Sequence, residues 1–216
     1  MKILGINAFH PDSSAALIEN GVIVAAIQEE RLNRIKHWSG FPKQSINWCL
    51  KSTKSSFKDI HYITINTNPS ANYWKKINFI LKTNPSIKLI FNRFKANTKK
   101  KKINEIFEKT YSNSFDKKNF KHIEHHRSHL ASAFYPSSFN KSVVLSVDGF
   151  GDFSSCAWGI GEDCRIKIDK KISFPHSLGI FYTTITQYLG FANYGDEYKV
   201  MGLAPYGKDK YVEKLS

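Results

Sequence analysis

The feature that most restricts the fold is a segment that the chain uses twice. Shifted by 141 positions without a gap, Ile3, Leu4, Ile6, Asn7 and Phe9 fall on Val144, Leu145, Val147, Asp148 and Phe150, while Ser13, Ser14 and Ala16 fall on Ser154, Ser155 and Ala157. Each copy reads as an apolar strand, a tight polar turn and a returning strand, so two equivalent β units are expected from one duplicated element. In the first copy Asn20 and Gly21 stand between two β-rich runs, the signal of a type I′ hairpin, and the first thirty residues predict a three-stranded antiparallel meander. In the second, "GIGEDCRIKIDKKISF" continues as strand. Between the copies, Pro42 introduces "KQSINWCLKS", where Ile46, Trp48, Cys49 and Leu50 sketch a helical face, and "IHYITINT" reads as a further strand.

Composition excludes several classes. With 41% hydrophobic residues in 216, the chain can bury an ordinary core. No run approaches the roughly 20 apolar residues that span a bilayer, and His10, Pro11 and Asp12 interrupt any leader-like stretch, so neither a membrane span nor export is expected. Cys49, Cys156 and Cys164 are too scattered for a disulfide framework and form no C-x-x-C pair, which fits a cytoplasmic setting. The net charge of +14 invites a nucleic-acid reading, but ten basic against three acidic residues between Asn92 and Lys121 supply half of it. That stretch is rich in Lys and Asn and poor in Arg, the residue on which specific phosphate and base contacts lean. It reads as a solvated, helical or partly disordered insertion, about 92–121, rather than a nucleic-acid site.

A duplicated β-β-β unit followed by helices resembles the superfamily of acetate kinase, sugar kinases, actin and heat-shock chaperones, whose paired domains hold nucleotide phosphates at the turn between the first two strands. The fold class expected on this resemblance is α/β, actin- or sugar-kinase-like. Residues 1–140 would form the first subdomain and 141–216 the start of a second, incomplete one. The two turns, "NAFHPDSSA" and "DGFGDFSSC", suit that use: small residues let backbone N–H groups approach an anion, and carboxylates and hydroxyls stand beside them.

Chemistry concentrates in "EHHRSHLASAF". On a helix His125 and His129, four apart, share one face; His126 and His129, three apart, are the competing pair. Asp148 ends the apolar run "VVLSVD", where a carboxylate can enter a cleft. Two imidazoles and one carboxylate suit Fe(II), Mn(II) or Zn(II) better than Ca or Mg.

Four stretches then carry a more specific resemblance: "ILGINAFHPDSSAALIENGVIVAAIQEERLNRIKH", "EHHRSHLASAFY", "VVLSVDGFGD" and "SLGIFYTTITQYLGFANYGDEYKVMGLAPYG". In order and spacing they resemble the carbamoyltransferases that modify nodulation factors and antibiotics, whose first domain is similar to the tRNA threonylcarbamoyl transferase. The resemblance implies that His125, His129 and Asp148 hold iron, with His126 beside the site. It implies an ATP-dependent transfer from carbamoyl phosphate, through carbamoyl adenylate, to a hydroxyl of a sugar-like or antibiotic-like acceptor. His10 is the candidate base, with Asp12 orienting it or binding ligand; Arg31, Arg34 and Lys36 are candidates for phosphate or carbamoyl oxygens. Gly149 and Gly151 belong to the second turn, and Gly202, Glu197 and Lys199 to a glycine-containing nucleotide stretch. The aromatic helix "IFYTTITQYLGF" is expected to pack between domains. A further metal-binding Asp and the adenylate-forming domain are expected outside this chain, on the same or a second polypeptide. An inactive ligand- or partner-binding remnant and a basic protein related to tRNA modification are the competing readings.

Overall fold

The structure is a computed structural model and describes residues 1–83, 85–86, 103–111 and 116–215. Strands β1 (Lys2–Asn7), β2 (Ser14–Glu19) and β3 (Val22–Gln28) form the expected meander. Asn20 and Gly21 turn the second hairpin at φ 50° and 87°, the left-handed pair that a type I′ turn requires. After helices α1 (Glu30–Asn33) and α2 (Lys43–Ser52), strand β4 (Tyr62–Ile65) joins β1 in parallel. Helices α3 (Tyr73–Thr83) and α4 (Ile103–Tyr111) precede β5 (Phe120–His122), which joins β4 in parallel. The result is a mixed five-stranded sheet of order β3-β2-β1-β4-β5.

Alternation decides which face of that sheet is covered. Leu4, Ile6, Ala15, Leu17, Ile63 and Ile65 turn one way and form a core with Ile46, Cys49 and Leu50 of α2 and Ile103 and Phe107 of α4. Each large side chain so buried contributes roughly 1.5–3 kcal/mol relative to exposure. Trp48 departs from the predicted apolar face and is 39% exposed, because Ile46, Cys49 and Leu50 at i, i+3 and i+4 already define the buried stripe. Part of the basic stretch is also corrected. Ile103 and Phe107, four apart on α4, are fully buried, so this turn of the supposed solvated insertion belongs to the core. The lysines 99–102 lie outside the described residues.

Helix α5 (His125–Phe134) leads to a second, antiparallel sheet of β6 (Lys141–Gly151), β7 (Ser154–Glu162) and β8 (Arg165–Ser173). The repeat read in the sequence recurs as strand register. Ile3↔Ile18, Leu4↔Leu17 and Ile6↔Ala15 return as Val144↔Gly159, Leu145↔Trp158 and Val147↔Cys156, each partner displaced by the same 141 positions. The third strands diverge: Ala16 faces Ala26, whereas Ala157 faces Lys171. α5 covers one face of this sheet, packing Leu130 and Phe134 against Val144, Ala157 and Ile166.

The opposite face is bare among the described residues, with Leu145 63% and Val147 50% exposed where their counterparts Leu4 and Ile6 are buried. Helix α6 (Leu178–Tyr188) and the shorter α7 (Glu197–Leu203) follow. Along α6, expected to pack between domains, most large side chains are open in this chain. Leu178, Phe181 and Tyr188 are exposed and Thr186 is buried, with the start of α6 packed against Asp148 and Gly149 of β6. Among the described residues no helix is long and apolar enough to cross a membrane.

Candidate metal centre

Local geometry places the two histidines. Ile123 N–H donates to Ile65 O at 2.8 Å, tying the chain to the end of β4, and Glu124 stays extended (φ −62°, ψ 137°), so α5 starts at His125. One helical turn later His129 lies on the same face, and the two Nε2 atoms are 3.0 Å apart. Asp148 arrives from the other sheet. The β6–β7 ladder breaks after Val147↔Cys156 and resumes at Gly151↔Ser154, and in that gap the aspartate leaves the pleat. Its Oδ2 lies 2.7 Å from His125 Nε2 and 3.4 Å from His129 Nε2, and its Oδ1 accepts from Gly149 N–H. Hydrogen bonds from His125, then from His129, hold the Asp148 carboxyl far below the usual carboxylate range, against an opposing push from burial. The His125 side chain is only 7% exposed and that of His129 50%, so the cluster is closed on one side and open on the other.

These residues fit a divalent transition metal on their own chemistry. Two imidazole nitrogens facing each other at 3.0 Å repel unless a proton or a cation lies between them, and the carboxylate oxygen beside them is a third Lewis base. An N,N,O donor set with an exposed edge is of the kind that binds borderline metals. His126 is set apart by helical rotation: it is buried against the second sheet, with Nδ1 2.8 Å from Ser146 Oγ, and burial lowers its pKa.

Glycines make room for the ligands. A Cβ on Gly151 would lie 1.9 Å from His125 Cδ2, and one on Gly179 would lie 2.6 Å from the Asp148 carbonyl. A Cβ on Gly149 would make only ordinary contact, 3.5 Å from Ile180 Cδ1. Gly149 and Gly151, expected to bring backbone to a nucleotide, are therefore engaged locally: the Gly149 N–H is bound by Asp148, and Gly151 lies under the His125 ring. Gly179 had no signal in the sequence beyond its residue type.

The other expected residues divide into those that join the centre and those that do not. His10 does: its ring centroid is 5.8 Å from that of His125, and its Nδ1 is 3.2 Å from Pro11 O. Asp12 does not orient it. Its Oδ1 lies 3.0 Å from His37 Nδ1, because Asp12 at φ 61° carries its carboxylate toward the loop after α1. Asp12, Glu30 and His37 form a second cluster of possible ligand atoms, with Tyr194 edge-on to His37 at 5.3 Å. Burial raises the Tyr194 hydroxyl, helped by the charges of Asp12, Asp148 and Glu197.

Arg31 is largely exposed and borders a groove of about 730 Å3, which runs from the row Gly5, Ala16 and Ala26 on the uncovered face of the first sheet to His125 and His129. Lys36 is exposed and outside that lining. Glu29, in the same charged run, is not part of a solvated face. It is 3% exposed and accepts from Gln44 N, Ser45 N and Ser45 Oγ at 2.7–3.0 Å, capping α2 from outside the helix. Glu197 accepts from Thr183 Oγ1 on α6, Lys199 pairs with Asp196 at 2.7 Å, and Gly202 has open space around it on α7. In this structure the first two serve local packing.

The described residues thus form a mixed α/β chain in which His125, His129 and Asp148 come together where two sheets meet. The family model for the carbamoyltransferase N-terminus matches residues 2–216, and the chain belongs to that family. It is 39% identical over 99% of its length to the protein sll1178 of Synechocystis sp., and 35% identical over 93% to the nodulation protein NolNO of Sinorhizobium fredii. It is 31% identical over 96% to MJ1051 of Methanocaldococcus jannaschii. It spans 36%, 28% and 34% of those three proteins, about a third of their length.

Proposed function

We propose that the chain is the N-terminal part of an ATP-dependent O-carbamoyltransferase. It would pass a carbamoyl group from carbamoyl phosphate, through carbamoyl adenylate, to a hydroxyl of a sugar-like or antibiotic-like acceptor. The remaining segments would come from the rest of the relatives' length, on the same or a second polypeptide. The observation that carries the reading is the convergence of His125, His129 and Asp148 in a member of the carbamoyltransferase N-terminus family. The first sheet's order, three antiparallel strands extended by two parallel ones, and the register shared by the two β units support an actin-like plan, with subdomains at 1–140 and from 141 onward.

His125, His129 and Asp148 would hold Fe(II) or another divalent transition metal, which when bound would supply Lewis acidity toward a phosphoryl or carbonyl oxygen. The chain's own groups do the rest. His10, whose ring lies 5.8 Å from that of His125, would take the proton of an acceptor hydroxyl brought to the metal centre. Arg31, at the groove, would pair with phosphate oxygens. Asp12, Lys36, Gly202, Glu197 and Lys199 would meet substrate or nucleotide only after exchanging their present partners or being covered by further segments.

The test is metal content after anaerobic reconstitution with iron. The wild type should retain about one equivalent, as a single three-ligand site predicts, and His129→Ala should lose it; equal content in both would defeat the assignment. Supplied with its remaining segments, the protein should consume carbamoyl phosphate only with ATP and an acceptor, and ATP-independent consumption would refute the adenylate route.

A further inference from the structure

Helix α5 lacks a cap of its own. Glu124, at the N-cap, makes no side-chain hydrogen bond to the helix, and its carboxylate pairs with Lys171 at 2.8 Å. The first N–H of the helix, that of His125, is satisfied from 27 positions away by Asp152 Oδ2 at 2.9 Å. The same carboxylate accepts from Asn68 N–H at 2.7 Å and from Thr67 Oγ1 at 2.9 Å, and the Asp152 carbonyl accepts from Asn72 Nδ2 at 2.8 Å. Three segments thus converge on one residue: the loop after β4, the start of α5 and the β6–β7 turn.

That turn is held by two successive left-handed residues, Asp152 (φ 49°) and Phe153 (φ 73°). It also carries Asp148, four positions earlier, and Gly151, which clears the His125 ring. In the first copy of the repeat the equivalent of Asp152 is Pro11, so the device belongs to the copy that bears the metal-site carboxylate.

We infer that Asp152 is a positioning residue: by bonding the His125 amide and the β4 loop at once, it sets where the His125 imidazole stands relative to Asp148 and His129. The inference rests on the metal reading above only for its consequence; the placement itself is a property of the metal-free chain. A backbone N–H held by a carboxylate is a strong, directional bond, and outer partners of ligating histidines typically tune metal affinity by about 10–100-fold.

Three measurements test it on the purified chain. In metal-free protein, ¹⁵N-histidine spectra report the His125 ring, and amide exchange reports its N–H. Asp152→Ala should shift the ring signals and speed exchange, whereas Asp152→Asn, which keeps an acceptor oxygen for His125 N–H, should restore both. Co(II) titration should then show Asp152→Ala weakened about 10–100-fold and Asp152→Asn within about fivefold of wild type. Native ring signals and exchange in Asp152→Ala would overturn the inference, as would an Asn variant as impaired as the Ala variant. If the wild type takes up no Co(II), the metal reading fails while the ring signals still decide this one. Should Asp152→Ala not fold, Thr67→Val carries the test: loss of one bond to the carboxylate should raise His125 amide exchange about fivefold, and unchanged exchange would overturn the inference.

Discussion

Replacing Gly151 with alanine adds one carbon at a place where His125 leaves no room. The new Cβ would stand 1.9 Å from His125 Cδ2 and 2.1 Å from Cγ, whereas apolar atoms rest at about 3.5 Å or more, so the ring must retreat by about 1.6 Å. The ring carries Nε2 with it and stretches the 2.7 Å bond to Asp148 past hydrogen-bonding range. Overpacking alone costs about 1–3 kcal/mol, and a lost charge-assisted bond about 1.5–3 kcal/mol more. A total of about 2.5–6 kcal/mol lowers Tm by about 5–24 °C for a chain of this size. Gly149→Ala is the matched control, because its Cβ meets only Ile180 Cδ1 at 3.5 Å. Thermal unfolding by circular dichroism and Co(II) titration of the two variants are the assays. Gly151→Ala should lose stability and bind Co(II) about 100-fold more weakly, while Gly149→Ala stays near wild type. A Gly151→Ala protein with native Tm and native affinity, or two variants equally impaired, would refute the claim that this glycine exists to seat the imidazole.

Other consequences follow from the same contacts. Asp148 has a depressed pKa in the folded chain, so its contribution to stability is present above the unfolded carboxylate value near 3.9 and is lost as pH falls below it. Metal-free Asp148→Asn should therefore show a flatter acid-unfolding profile than wild type between about pH 5 and 2, and parallel profiles would remove the hydrogen-bonded carboxylate as the cause. Glu29→Ala uncaps α2 and leaves three donors unanswered, costing about 2 kcal/mol and about 4–8 °C in Tm, whereas Arg31→Ala, two positions on but 66% exposed, should shift Tm by about 1 °C or less. A shift for Glu29→Ala as small as that for Arg31→Ala would overturn the capping role of Glu29.

What could be read without coordinates depended on short range. The Asn20-Gly21 turn, the meander and the shared face of His125 and His129 follow from preferences acting over one to four residues, and the structure holds all three. The duplication was legible because it is written as an ungapped offset, and it returns as strand register. The same logic misplaces Trp48, since which side of an amphipathic helix is buried depends on what lies opposite.

The apolar periodicities, the left-handed Asn-Gly turn and the i, i+4 histidine pair are local properties of the chain, and its amino acids alone determined them. Tertiary structure decided which carboxylate reaches which imidazole. Asp148 meets His125 across 23 positions, Asp12 turns to His37 across 25, and Asp152 bonds Thr67 across 85. Such partnerships leave no period in the sequence, because they depend on how two sheets and a helix pack, and a side chain's partner is set by the few ångströms that packing allows.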